Sequence, residues 1–248
     1  MTSRRDQPRS ALGTTGPRHP EGGGLRAPEG SDPRIGALFD WDGVVVDSSS
    51  CHREAWERLA DEIALPLPPD HFERAFGLKN ERIIPEIMGW TDEPSEVARL
   101  SLRKEELYRE AVRRQGLEPL PGVPAFLERL AAAGVPCAVG TSTHRLNVEA
   151  CIDVVGLRGS FAAIVTAEDV TEGKPDPQVF LLGAERLGLP PDRCVVFEDA
   201  IVGIQAARRG GMKAVAVTTT HPADRLTDAD VVVDRLDQLS VAALRTLF

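Results

Sequence analysis

The sequence predicts an α/β fold, a parallel sheet covered by helices and interrupted by one long helical insertion. Three observations carry this. From about residue 118 onward, short apolar runs alternate with helical segments, the pattern of a parallel sheet buried on both faces. The apolar run "IGALF" at 35–39 ends in aspartate and has no crossover helix of its own nearby. No strand pattern occurs between about 48 and 117, so that stretch reads as an insertion after the first strand.

In chain order, residues 1–34 are rich in Gly, Pro and Arg and nearly free of large apolar side chains. Such a segment cannot bury enough surface to offset its ordering entropy, and disorder is expected. Asp6, Glu21, Glu29 and Asp32, and the lack of an amphipathic pattern, argue against a transit peptide. After the 35–39 strand, "HREAWERLADEIAL" sets Ala55, Trp56, Leu59 and Ile63 near one helical face. "PPDHFERAFG" and "NERIIPEIMGW" read as short helices, the second disturbed by Pro85. "EPSEVARLSLRKEELYREAVRRQG" is a long amphipathic helix ending at Gly116. Then come helix "PAFLERLAAAG", strand "VPCAVGT", helix "RLNVEACIDVVG", strand "FAAIVTA", helix "PDPQVFLLGAERLG", strand "RCVVFED", helix "AIVGIQAARRGG" and strand "KAVAVTT". "ADVVVDRLDQL" closes with a short strand and a terminal helix. The expected division is a tail at 1–34, a core at 35–47 and 118–248, and a helical cap at 48–117.

Composition narrows the function classes. The chain has 248 residues, 42% of them hydrophobic, enough for a sizeable core, and a net charge of -9. That charge argues against a general nucleic-acid or anionic-membrane surface. No apolar run approaches a membrane span. Cys51, Cys137, Cys151 and Cys194 show no C-x-x-C spacing and read as buried free thiols of a reducing, cytoplasmic protein. A monomer or weak dimer is expected.

In open parallel sheets, ligands bind at the C-terminal strand ends. Strand one ends in Asp40-Trp41-Asp42, "CAVG" in Thr141-Ser142, and "CVVF" in Glu198-Asp199, while "AAIVT" is followed by a loop holding Lys174. Each feature alone is an ordinary turn, cap or solvated charge. Together they bring carboxylates into one place, where without a cation they would repel one another and raise their pKa values. Oxygen-only ligands point to Mg²⁺, which commonly binds phosphate as well.

"DWDGVVVD", "GTSTHR", "GKPDP" and "VFEDAIVGIQAARRGGM" resemble the four motifs of the haloacid dehalogenase superfamily, and more narrowly its phosphatases and β-phosphoglucomutase-like members with a helical cap. The resemblance covers about 35 to 240 and implies a Rossmann-like core with a four- or five-helix cap. It implies that Asp40 is the nucleophile that forms an aspartyl-phosphate, and that Asp42 is the general acid/base. Thr141 would grip the phosphoryl group, with the Ser142 N–H beside it, and Lys174 would bridge nucleophile and phosphoryl oxygen. Asp199, Asp40 and the Asp42 backbone carbonyl would ligate Mg²⁺, with Glu198 bound directly or through water. Trp41, larger than the usual residue there, is expected to pack beneath the loop. Asp47 would fix the hinge into the cap, and Gly43 would allow a tight turn. With all four motifs intact, a non-enzymatic binding module is disfavoured. A dehalogenase is disfavoured because that branch does not need the acidic pair of motif four.

The cap is expected to choose the substrate, a small phosphate ester. "SSSCHREAW" resembles the entry helix of β-phosphoglucomutase, placing His52 toward the active site, and "LRKEELY" places Lys104 near substrate. "FGLKNERII" carries Asn80 where the mutase has an arginine for a second phosphate, a loss that neighbouring Lys79 replaces poorly. That departure disfavours the alternative of a phosphomutase. "GLKNERIIPEIMGW", "TAEDVTEGKPDP" and "THPADRL" resemble plant-type and bacterial phosphatases. Some of these act on 5-amino-6-(5-phospho-D-ribitylamino)uracil, and relatives hydrolyse FMN. His144 and Arg145 complete the expected substrate contacts. For these two and for His52, Lys79, Asn80 and Lys104 the alternative is a plain surface role.

Overall fold

The computed structural model describes residues 34–75 and 78–248. The tail read as disordered lies, up to residue 33, outside the described residues. Strand β1 (Gly36–Phe39) is followed by helices α1 (Ser49–Ile63), α2 (His71–Ala75), α3 (Asn80–Arg82) and α4 (Pro94–Gln115). Then come α5 (Val123–Ala132), β2 (Cys137–Gly140), α6 (Arg145–Val154), β3 (Ala163–Val165) and α7 (Gln178–Leu187). The order continues with β4 (Cys194–Glu198), α8 (Ile201–Arg209), β5 (Lys213–Val217), β6 (Val231–Val233) and α9 (Val241–Arg245). Among the described residues, six strands form one sheet in the order β3-β2-β1-β4-β5-β6. Every neighbouring pair is parallel. This is the expected Rossmann-like α/β architecture, and between β1 and β2 the described residues form helices and, outside them, only isolated bridges at Asp42–Val46 and Val46–Pro119.

β1 lies at the centre, with Phe39 in register with Val139 on one side and Phe197 on the other. Phe39 stacks on Phe197 at 4.6 Å and meets Phe126 and Phe161 edge-on at 6.3 and 5.8 Å. That aromatic layer fills the sheet face under α5. Leu38, pointing the other way, joins Phe180 and Val196 in a second core. With both faces buried, the strand ends are fixed platforms.

The helical stretch follows its caps. Glu93 accepts the Glu96 N–H at 2.8 Å, Pro94 occupies the first turn, and α4 stops at Gly116. Pro85 lacks the N–H that an α-helix needs, and the backbone widens there into a π-helical turn over Ile83–Met88. α1 packs along α4, and α4 also packs on α6. The terminal helix expected within "RLDQL" is a 3₁₀ turn at Leu236–Gln238, and the helix itself is α9. The turn ends because the backbone becomes extended at Leu239 and Ser240, and the Ser240 hydroxyl then caps α9 by accepting from the Ala243 N–H. No helix of the described residues is long and apolar enough to cross a membrane.

Candidate active site

The ends of β1, β2 and β4 meet at one edge of the sheet. The ladder continues just past them, with Asp40 N–H donating to Phe197 O and Thr141 N–H to Val165 O, both at 3.0 Å. Asp40, Thr141 and the Glu198-Asp199 pair are thus held by sheet backbone. Lys174 enters from the loop after β3. Its ammonium donates to Asp40 Oδ1 at 2.9 Å and to Glu198 Oε1 at 2.7 Å, and its side chain is only 6% exposed. Burial works against that charge, but the two carboxylates outweigh it and raise the lysine above its ordinary pKa.

The acidic residues are crowded. Asp40, Glu198 and Asp199 each offer an oxygen, all within 4.8 Å of one another. Burial pushes Asp199 up to about 8, with Glu198 and Asp40 adding to it and a Thr220 hydroxyl bond opposing. Burial also raises Glu198, although Lys174 and the N–H groups of Asp199 and Ala200, at 2.9 and 2.8 Å, counter it. Such a set is unfavourable by itself, and an oxygen-preferring divalent cation would relieve it. Two glycines make the crowding possible. Gly43 has φ +79°, and a Cβ there would lie 2.0 Å from Asp199 Oδ2. A Cβ on Gly203 would lie 1.7 Å from Glu198 Oε1.

Asp42 begins the turn that leaves the sheet, closed by Gly43 N–H to Val46 O at 2.8 Å and Val45 N–H to Trp41 O at 2.9 Å. Trp41 is fully buried. The Asp42 carboxylate accepts from the Ser48 and Thr143 hydroxyls, one on each oxygen. Burial raises its pKa, those two bonds oppose the rise, and nearby Asp40 adds to it. Asp47 accepts the Ser49 N–H at 3.0 Å, an Asx turn where α1 starts.

A second polar cluster lies on the helical side of Asp42. Lys104 Nζ reaches His52 Nδ1 at 2.8 Å and Glu105 Oε1 at 2.9 Å. An ammonium only donates, so His52 Nδ1 accepts and the neutral ring carries its proton on Nε2. Burial, then Lys104, pushes His52 down to about 3. The ring stacks on Tyr108 at 4.1 Å, and the Tyr108 hydroxyl lies 3.2 Å from Cys151 Sγ. Asn80 is buried and its amide donates to Ser101 at 3.1 Å and Glu105 at 2.6 Å.

The structure therefore gathers Asp40, Asp42, Thr141, Lys174, Glu198 and Asp199, and sets His52, Lys104 and Asn80 in the adjoining cluster. Ser142 is exposed on the same loop as Thr141. Lys79 is exposed, with Cε 3.6 Å from where a Gly173 Cβ would stand, next to the Lys174 loop. His144 and Arg145 are not brought to the carboxylates: His144 pairs with Glu168 at 3.1 Å and Arg145 with Asp169. Both acceptors sit in the turn after β3, which draws these two side chains sideways across the sheet edge. Ser48, Thr143, Thr220, Tyr108, Glu105 and Asn147 were not expected from the sequence. Thr143 had a signal, two residues past Thr141 in one strand-end loop, and Thr220 follows β5, a strand end bearing no charge.

A family model, haloacid dehalogenase-like hydrolase, matches residues 36–211. The chain is 37% identical over 215 residues to the chloroplastic 5-amino-6-(5-phospho-D-ribitylamino)uracil phosphatase of Arabidopsis thaliana, covering 86% of this chain but only 57% of that relative. It is 35% identical over 206 residues to hexitol phosphatase A of Escherichia coli, covering 83% of this chain and 93% of the relative. The crystal structure of CbbY from Rhodobacter sphaeroides, in complex with phosphate, superposes with a TM-score of 0.76 at 24% identity. The match covers 85% of this chain and 99% of that one, and supports the shared fold alone.

Proposed function

From its membership of the haloacid dehalogenase-like hydrolases, the family to which this chain belongs, we propose that the protein is a Mg²⁺-dependent phosphatase of small organic phosphate monoesters, working through an aspartyl-phosphate. One observation carries the reading. Lys174 ties Asp40 to Glu198 at 2.9 and 2.7 Å at the carboxylate cluster, with Asp42 two residues from Asp40. Asp40, Glu198 and Asp199 would hold Mg²⁺, whose charge offsets that of the phosphoryl oxygens.

In this reading Asp40 attacks phosphorus, and Lys174 both holds the nucleophile's other oxygen and steadies the phosphoryl charge. Thr141, fixed by its N–H bond to Val165, grips a phosphoryl oxygen. Asp42 gives its proton to the leaving oxygen, then takes one from the attacking water. Its raised pKa favours the acid form required first, while Ser48 and Thr143 hold the carboxyl in place. Residues 35–47 and 118–248 serve as core and 48–117 as cap. With four free cysteines, a reducing cytoplasmic setting fits the chemistry.

The substrate is a sugar phosphate or a riboflavin-pathway phosphate, given what the relatives' names state. A phosphate-release screen with Mg²⁺ tests this, using the ribitylamino-uracil phosphate, FMN, fructose 1-phosphate, hexitol phosphates and phosphoglycolate. At least one should be turned over, and Asp40→Asn should abolish release with the fold intact. Full activity in that variant would falsify the reading. The Lys104–His52 pair also favours a second reading, a phosphomutase. Formation of glucose 6-phosphate from β-glucose 1-phosphate and its bisphosphate would establish it, whereas release of inorganic phosphate alone would count against it.

A further inference from the structure

Lys104 is linked to Asp42 through the start of α1: its ammonium reaches the His52 ring, the His52 backbone N–H donates to Ser48 O at 3.0 Å, and the Ser48 hydroxyl donates to Asp42. It is 3% exposed, and two of its three N–H bonds go to His52 and to Glu105. Glu105 is pinned from three elements. Its Oε1 accepts from Lys104 on α4 and from Asn80 on α3, and its Oε2 accepts from Asn147 on α6. Asn147 is fixed in turn by Arg109, whose guanidinium donates to its Oδ1 at 2.9 Å. A buried carboxylate on the apolar face of a helix is costly unless fully bonded, and this one is bonded on both oxygens.

We propose that Glu105 is a positioning residue that orients Lys104 and cancels its charge, so that the cap face opposite Asp42 accepts monoesters with an uncharged far end and rejects substrates bearing a second phosphate. The proposal rests on the phosphatase reading. With His52 neutral, Lys104 and Glu105 cancel as a pair, and Arg109, a further cation of the cluster, is turned onto Asn147. A second phosphate arriving there would have to take Lys104 from Glu105 and then sit beside a fixed carboxylate that cannot move away. Burial opposes the Glu105 charge, but Lys104 and the Asn147 bond hold its carboxyl down at about 2, so it stays ionised through the physiological range. A polyol or ring end instead meets the donors and acceptors of the neutral Lys104–Glu105 pair. This asymmetry is specificity by repulsion.

The test measures calorimetric binding of fructose 1-phosphate and fructose 1,6-bisphosphate with Mg²⁺, in the Asp40→Asn background where hydrolysis is expected to be blocked. Like-charge juxtaposition suppresses the wrong partner, so a preference for the monophosphate of about tenfold or more is expected. Equal or tighter binding of the bisphosphate overturns the proposal, and this measurement needs no change at Glu105. Glu105→Gln should shrink the preference to about threefold or less, and Glu105→Asp, which keeps the charge, should retain it. An unchanged preference in Glu105→Gln, or loss of it in Glu105→Asp, also overturns it, since a merely structural role would weaken both ligands alike. Absence of phosphate release from the unmodified protein would sink the phosphatase reading while the binding ratio still scores Glu105.

Discussion

At the residue scale, the carboxylates were the legible part of the site. Asp40, Asp42, Glu198 and Asp199 stand out because charges at the ends of apolar strands are costly without a purpose. The hydroxyls were not legible. Ser48, Thr143 and Thr220 are spelled like any cap or turn residue, and only the fold shows that they bond Asp42 and Asp199. Arg145 shows the converse, a cation beside a motif that is neutralised by Asp169. Gly43 gives the sharpest residue-level prediction. At φ +79° any side chain is strained, and its Cβ would stand 2.0 Å from Asp199 Oδ2. Gly43→Ala should lower phosphate release by about 10–100-fold, with Mg²⁺ affinity falling in parallel, because the displaced carboxylate is one of those proposed to hold the cation. Wild-type turnover in that variant would show that the close approach has no role.

At the element scale, α4 shows what periodicity does and does not give. Its apolar stripe was visible in the sequence, and Leu100, Leu107, Tyr108 and Ala111 are buried as that stripe requires. Lys104 and Glu105 are buried with them, and no helical period announces it, since a Lys-Glu step normally faces water. The pairing becomes sensible only once α1, α3 and α6 supply His52, Asn80 and Asn147. A pH effect follows. Glu105 is held at about 2 in the folded chain against an ordinary value of 4.5. Its contribution is therefore present above about pH 4.5 and is lost as the pH falls toward 2. Glu105→Gln should cost about 3 kcal/mol near pH 6, as expected for breaking a buried ion pair. The stability gap between the two proteins should close in urea melts taken downward from pH 5.5. A gap constant from pH 5.5 to pH 3 would mean the carboxylate gains nothing from its charge in the fold.

At the scale of the whole molecule, alternating strands and helices were enough for a parallel sheet, but not for its order. The central place of β1, flanked by β2 and β4, comes from crossovers that no local pattern encodes. That order brings Asp40 from near the start of the sheet beside Glu198 and Asp199, far along the chain, and ties the stability of the fold to whatever occupies the cluster. Three oxygens within 4.8 Å, two of them on acids raised first by burial and then by neighbouring carboxylates, are assembled by folding and dispersed by unfolding. A cation that binds only the folded form stabilises it by mass action, by about 2.7 kcal/mol at a hundred times its dissociation constant. For a domain of this size each kcal/mol moves the midpoint by about 2–4 °C, so saturating Mg²⁺ should raise Tm by roughly 5–10 °C. The shift should vanish with a chelator. It should also vanish in Asp199→Asn, which keeps the shape of the side chain and removes the charge that the cation offsets. An equal Mg²⁺ shift in that variant would place the ion away from the sheet edge and detach the cluster from the metal.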